Sequence, residues 1–114
     1  GVAHIWANSY VTNTGWQVPI RIDTKNAGNA NLPQVSMNLT GNAVAVWQQT
    51  IKGQSHIWAN RFLPNTGWQG AARINTDDKG NAKEPKVSID ASGSAIAVWQ
   101  QSDKKLSNIW ANPF

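Results

Sequence analysis

A chain of 114 residues without cysteine can form one small domain but no disulfide framework. Its formal net charge of +4 comes from dispersed Lys and Arg residues, which does not predict a nucleic-acid partner. No apolar run approaches the roughly 18 residues that a membrane-spanning helix requires, so no membrane span is predicted. Seven Trp, beside one Tyr and two Phe and many Asn and Gln, are typical of a β-protein.

A repeat of 52 residues organises the whole chain. The segment His4-Ile5-Trp6-Ala7-Asn8 returns at 56–60 and, with Asn in place of His, at 108–112. Such self-similarity at a fixed period is the signature of a repeat architecture. We therefore divide the chain into repeat one (4–55), repeat two (56–107) and a partial third repeat (108–114).

The predicted strands alternate with turn signals along the chain. Along the chain, an Asn-Thr-Gly turn follows 4–10, a Pro enters 34–38, and a Gly-Asn turn leads to 43–49. The same order recurs in the next repeat. Each unit of four strands has 34–38 as its first strand, 43–49 as its second, 56–62 as its third and 69–75 as its fourth, so the chain opens with a third strand. The predicted strands are 4–10, 17–23, 34–38, 43–49, 56–62, 69–75, 86–90, 95–101 and 108–114.

The strand predicted at 43–49 is apolar on both faces. Val44 and Val46 lie on one face, and Ala45 and Trp47 on the other. A strand of this kind is buried on both faces, whereas a typical strand of a β-sandwich has one solvent-exposed face. A radial stack of four-stranded sheets, as in a β-propeller, covers both faces of each sheet. The sequence therefore predicts an all-β fold built from propeller blades.

One pattern of turns and strands runs through most of the chain. It consists of the Gly41-Asn42 turn, the strand from Ala43 to Trp47, Ile57-Trp58-Ala59-Asn60, Gly67-Trp68 and Arg73-Ile74. This pattern resembles the blades of sialidase-like β-propellers. The resemblance covers nearly the whole chain and implies two four-stranded blades plus one extra strand. The turns before Trp16 and Trp68 are similar to a degenerate Asp-box, with Asn where that family has Asp and Gly directly before the Trp.

The resemblance does not extend to catalysis. A sialidase of this shape would need an arginine triad, a tyrosine nucleophile paired with a glutamate, and an acid. The one Tyr and the one Glu of this chain, Tyr10 and Glu84, form no such set. His4 and His56 are repeat equivalents without a second ligand at metal spacing, so both are interpreted as surface residues at strand ends. The sequence predicts no enzyme activity, no metal site and no cofactor.

The tryptophans offer the clearest functional candidates. Trp47 and Trp99 are predicted in the core, and Trp6, Trp58 and Trp110 between blades. For Trp16 and Trp68 two interpretations are open, since the ring could lock the turn or stack on the apolar face of a sugar. Donor side chains lie on the same outer strand. The predicted ligand-binding residues are Trp16, Gln17, Arg21, Trp68, Gln69 and Arg73.

Two functions remain open at this point. The first is a non-catalytic, lectin-like module that binds glycans at repeated shallow sites and gains strength through multivalency. The second is a scaffold for protein interactions, a section of a larger bacterial surface or secreted repeat protein. The loops predicted at 23–34, 50–55, 75–86 and 102–107 would carry the second function. Both functions favour a secreted or cell-surface location.

The predicted strand order indicates self-association. Nine strands make two blades plus one, and both ends of the chain fall inside a blade. The first piece lacks strands one and two of its blade, and the last piece lacks strand four. A head-to-tail contact could complete both, and three chains would close a six-bladed ring. Either 4–10 or 108–114 is then surplus. By size and plan the chain is similar to small two-blade lectins that assemble in this way.

Overall fold

A computed structural model describes residues 2–23, 28–76, 80–103 and 106–113 of the chain. Within these ranges the backbone forms antiparallel β-strands and turns, and it contains no helix. The all-β prediction is therefore confirmed. The strands form several small sheets, and none of them closes on itself.

The first four strands form the N-terminal strand group. They are β1 (Trp6–Ala7), β2 (Tyr10–Val11), β3 (Gly15–Trp16) and β4 (Ile20–Arg21), where β1 pairs with β4 and β2 pairs with β3. The strands predicted at 4–10 and 17–23 are therefore each shorter than expected. Pro19 contributes to the break because it has no N–H to donate to a neighbouring strand.

The central sheet follows. Its strands are β5 (Ala30–Met37), β6 (Ala43–Ile51), β7 (Gln54–Leu63), β8 (Gly67–Trp68) and β9 (Ala72–Arg73). The order is β5-β6-β7-β8, and β9 also pairs with β7. All neighbours are antiparallel. Of the strand predicted at 69–75 only β9 is observed, because β8 ends at Trp68; Gly70, with a φ of 133°, lies between β8 and β9.

The first strand of each repeat begins earlier than the sequence predicted. In β5 the register shifts between Asn31 and Gln34, and Leu32 has a φ of 55°. Pro33 therefore lies inside the strand at a β-bulge, where the missing N–H costs no ladder hydrogen bond. The prediction that Pro33 opens the strand is wrong for this reason. Glu84, with a φ of 55°, marks the same bulge in the next repeat.

The C-terminal sheet consists of β10 (Ala82–Ile89), β11 (Ala95–Asp103) and β12 (Leu106–Pro113), in that order. Among the residues that the structure describes, no strand pairs with the outer edge of β12. Much of the segments predicted as loops is strand, since β5 and β10 begin at Ala30 and Ala82. Three segments of these loops, at 24–27, 77–79 and 104–105, lie outside the described residues.

The hairpin turns between the first and second strands of each repeat are built alike. The Oδ1 atom of Asn38 accepts hydrogen bonds from the backbone N–H groups of Thr40 and Asn42, both at 3.1 Å. Asp90 makes the equivalent bonds in repeat two. Gly41 has a φ of 90°, a conformation that glycine adopts at little cost. The Gly-Asn turn predicted here is confirmed.

Two apolar clusters bury both faces of the central sheet. One face packs against the N-terminal strand group through Trp47 and Ile5, and the other against the C-terminal sheet through Val46 and Trp99. Trp47 is 0% exposed and Trp99 is 4% exposed, which confirms both as core residues. Five members of the first cluster return 52 positions later in the second, namely Ile5, Ile22, Ala30, Ala45 and Trp47.

Candidate functional site

The two tryptophans predicted to bind ligand lie at the same place in each repeat. Trp16 contacts Tyr10 edge to face, with ring centroids 5.5 Å apart and ring planes inclined by 71°. Trp68 contacts Phe62 in the same way, at 5.4 Å and 62°. Trp16 is 68% exposed, whereas Trp68 is half-buried and packs against the first apolar cluster. The aromatic pair is therefore a repeated feature, but only its first copy presents a large open ring surface.

The glutamines that follow these tryptophans hold the turn. The side-chain amide of Gln17 donates to the carbonyl oxygen of Gly15 at 2.8 Å. Gln69 donates to the carbonyl oxygen of Gly67 at 2.7 Å and to the hydroxyl of Thr66 at 3.0 Å. Both amides thus fix the loop that carries the Trp ring.

The arginines lie at a distance from the aromatic pairs. Arg21 is opposite Trp6 in β1, whereas Trp16 is opposite Tyr10 in β2, four residues further along the chain. At about 3.3 Å per extended residue, the backbone separation is at most roughly 13 Å. The Nε–H groups of Arg21 and Arg73 donate to the backbone carbonyls two residues later, at 2.9 and 2.8 Å. The structure therefore does not gather indole and guanidinium into one tight constellation.

A cleft of about 520 Å³ lies between the N-terminal strand group and the central sheet. We call it the aromatic cleft. It brings together side chains from both repeats, which the sequence could not pair because they are about 52 residues apart in the chain. Asn8 and Gln34 provide polar groups along its walls. Its aromatic lining consists of Trp6, Tyr10, Trp16, Phe62 and Trp68.

A buried carboxylate at the end of the N-terminal strand group is the main charged cluster near the aromatic cleft. Asp23 is 1% exposed, and its Oδ2 lies 3.0 Å from Nδ1 of His4. Its Oδ1 accepts the N–H of Ile5 at 2.8 Å, and Nε of Arg21 lies 3.3 Å away. Burial raises the pKa of Asp23, but the hydrogen bonds from His4 and Ile5 and the charge of Arg21 outweigh it. The pKa is held below its ordinary value.

The second repeat contains a neutral version of this cluster. Asn75 replaces the aspartate, and its side-chain amide lies 3.1 Å from Nδ1 of His56. Its Oδ1 still accepts the N–H of Ile57, at 2.8 Å. The same contacts form around the charged Asp23 in the first repeat and the neutral Asn75 in the second. The shared role of this position is therefore to join the third strand to the fourth, and it does not require a charge. The interpretation of both histidines as surface residues is wrong for His56, which is 7% exposed.

The three equivalent tryptophans of the third strands differ in burial. Trp58 is 8% exposed and lies in the first apolar cluster, as predicted for packing between sheets. Its indole N–H has no hydrogen-bond partner among the described residues. Trp6 and Trp110 are 61% and 40% exposed. Identical sequence contexts therefore produce one buried and two accessible rings.

The described residues contain no group of three His, Asp or Glu side chains close enough to hold a metal ion. Within the same ranges there is no helix long and apolar enough to cross a membrane. Comparison with models of known protein families, with curated protein sequences and with solved structures gave no match for this chain.

Proposed function

We propose that the 52-residue period of the chain corresponds to one β-propeller blade and that the chain is a non-catalytic module that binds carbohydrate. The antiparallel order of the central sheet supports the blade assignment, as does its burial on both faces. The lectin-like function rests on one observation, which is the repeated aromatic pair at the Gly-Trp turn. A secreted or cell-surface protein is the expected setting for such a module.

The geometry of the aromatic pair suits a sugar. Trp16 exposes 68% of its surface, and the edge-to-face contact with Tyr10 fixes the tilt of the indole. A rigid flat ring loses little conformational entropy when the apolar face of a pyranose stacks on it. The Gln17 amide also holds the turn that carries Trp16, so the indole is preorganised for ligand binding.

The polar part of the proposed site lies on the next strand, β4. Arg21 and Trp16 lie opposite residues that are four positions apart in the chain, so their backbone positions are separated by up to roughly 13 Å, which is more than one sugar ring spans. We therefore propose that the ligand is an oligosaccharide, with one unit on the indole and another near the guanidinium. Trp68, Gln69 and Arg73 would form the equivalent but less open site of repeat two. Each site would be weak, and binding would depend on several sites acting together.

A glycan array probed with the full chain tests this proposal. Trp16→Ala should remove most of the binding, and Trp68→Ala should reduce it less because that ring is half-buried. Val18→Ala is the matched control, since Val18 is 74% exposed on the same segment but offers no ring. If both Trp variants remain folded and bind the same glycans as the wild type does, the carbohydrate site is not at these residues.

A scaffold for protein interactions is the second candidate function. Exposed apolar side chains on two of the sheets favour it, since Val35 is 65% and Ile96 is 56% exposed. Clusters of such residues mark association surfaces. A chain that binds no glycan on the array but binds a different protein through these residues would be a scaffold and not a lectin.

A further inference from the structure

The outer face of the C-terminal sheet exposes residues whose repeat equivalents are buried. Ile96 and Val98 are 56% and 36% exposed, whereas Val44 and Val46, at the same two positions of repeat one, are both 0% exposed. The equivalents are buried because the C-terminal sheet packs over them. The apolar character of this face therefore matches a face that, elsewhere in the same chain, is covered by a neighbouring sheet.

The aromatic cleft likewise exposes apolar residues whose repeat equivalents are packed against a neighbouring sheet. Val87 and Ile89 of the C-terminal sheet pack against the cluster formed with the central sheet. Their repeat equivalents, Val35 and Met37, are 65% and 62% exposed and line the aromatic cleft. The cleft thus occupies the place in which the first two strands of a preceding sheet would lie.

These two surfaces are complementary, because their repeat equivalents already pack against each other within one chain. The equivalent contact is the one between the central sheet and the C-terminal sheet. We propose that the C-terminal sheet of one copy docks against the wall of the aromatic cleft formed by Val35 and Met37 in a second copy, so that Ile96 and Val98 cover these two side chains. The inference rests on the blade arrangement proposed above and not on carbohydrate binding. The contact joins two different surfaces, so it is head-to-tail, and three copies supply the six blades of a closed ring.

The two copies have one third strand too many at the contact, residues 6–11 of one copy and β12 of the other. Ile5 is 5% exposed and already fills the third-strand position against the central sheet, whereas its equivalent Ile109 is 75% exposed. The incoming copy cannot place Ile109 where Ile5 lies. Residues 6–11 of one copy therefore replace β12 of the other at the edge of β11. Trp6 then lies opposite Trp99 of the second copy, as Trp58 lies opposite Trp47 within one chain.

The exchange conserves the polar contacts of β12. The side-chain amide of Asn112 donates to the carbonyl oxygen of Ile74 at 2.9 Å, and Asn60 makes the equivalent bond to Ile22 at 3.1 Å. Asn8 is exposed and stands at the same repeat position. In the assembly Asn8 takes over the bond to Ile74 of the second copy. Since one strand replaces another in the ladder, the net gain comes from the apolar side chains that become buried.

Light scattering coupled to size exclusion, at micromolar concentration, measures the assembly. We expect the wild-type chain of 12.4 kDa to elute at three times that mass. Ile96→Asp should reduce the mass to that of one chain, as should Met37→Asp. The control Ile109→Asp should remain trimeric, because the exchange removes β12 from the interface. Circular dichroism checks that each variant is folded, and Ile96→Thr replaces Ile96→Asp if the charge disturbs the strand.

A mixing experiment tests the head-to-tail geometry. Each of the two single-face variants keeps one intact surface, so an equimolar mixture of Ile96→Asp and Met37→Asp should form a species of two chains. A wild-type chain that remains a monomer overturns the proposal, and so does a mixture that contains single chains only. If Ile109→Asp breaks the assembly as Ile96→Asp does, the strand exchange is wrong. A wild-type chain that assembles but binds no glycan would instead count against the proposed carbohydrate site alone.

Discussion

Replacing Trp47 by alanine should destabilise the chain by about 3–5 kcal/mol, the range for deleting a buried aromatic side chain. Trp47 is 0% exposed, so its whole side chain is removed from water in the folded state. A tryptophan buries roughly 200 Å², which at about 25 cal/mol per Å² corresponds to about 5 kcal/mol as an upper bound. The variant also loses the hydrogen bond from the indole N–H to Oε1 of Gln49, at 3.1 Å.

Urea denaturation followed by circular dichroism measures this loss. In a parallel thermal melt of a domain of this size, about 3 kcal/mol corresponds to a fall in Tm of about 12 °C or more. Trp47→Phe separates the two contributions, since it keeps a ring but removes the N–H donor, and about 1–2 kcal/mol is expected. Trp16→Ala is the control for an exposed tryptophan and should change stability by less than about 0.5 kcal/mol.

The protein concentration must be equal in all of these measurements, because association stabilises the folded chain by mass action. Repeating the series in the Ile96→Asp background removes that contribution. A Trp47→Ala variant that is no less stable than Trp16→Ala would refute the assignment of this ring to the contact between the sheets.

The remaining predictions concern two buried polar contacts. Asp23→Asn should cost about 1–2 kcal/mol at pH 7, as expected for a hydrogen-bonded charge. The folded-state pKa of Asp23 is lowered, so its stabilising contribution is present above the unfolded pKa of about 3.9 and is lost as the pH falls through the folded value. Urea titrations at pH 7 and pH 3 should therefore show a difference that shrinks in acid, and an equal difference at both would contradict this. Asn60→Ala should cost about 2–4 kcal/mol, because it leaves the Gly70 N–H and a backbone carbonyl of the N-terminal strand group without their partner. Its control, Asn8→Ala in the Ile96→Asp background, should have little effect on the urea midpoint. A large effect would show that the exposed Asn8 amide stabilises the single chain as much as Asn60 does, and would contradict this prediction.

Several features of the fold could be predicted from the sequence because they are local and occur twice. The Gly41 turn, the course of the second and third strands and the burial of Trp47 and Trp99 all follow from alternation and turn chemistry. The short fourth strands and the bulge at Leu32 could not be predicted, since they depend on backbone conformations that apolar patterning does not encode.

The candidate site was predictable only in part. The sequence identified Trp16 and Trp68 as equivalent, but their contacts with Tyr10 and Phe62 depend on the register between third and fourth strands. The charged cluster around Asp23 was not predicted, because its partners lie 18 and 19 residues away in the chain. The sequence did contain one indication of this cluster, because Asp23 and Asn75 occupy equivalent positions of the two repeats. A carboxylate and its amide analogue at one repeat position indicate a shared hydrogen-bonding role.

What the sequence by itself determined is the repeat and the apolar character of each strand face. Only the tertiary structure decided which copy of a face is covered. Val46 and Val98 are the same residue in nearly the same local sequence, yet one is 0% and the other 36% exposed. Trp58 and Trp6 differ in the same way, at 8% and 61%. The physical reason is that burial is a property of the neighbouring sheet, and local patterning specifies a strand but not the presence of its neighbour.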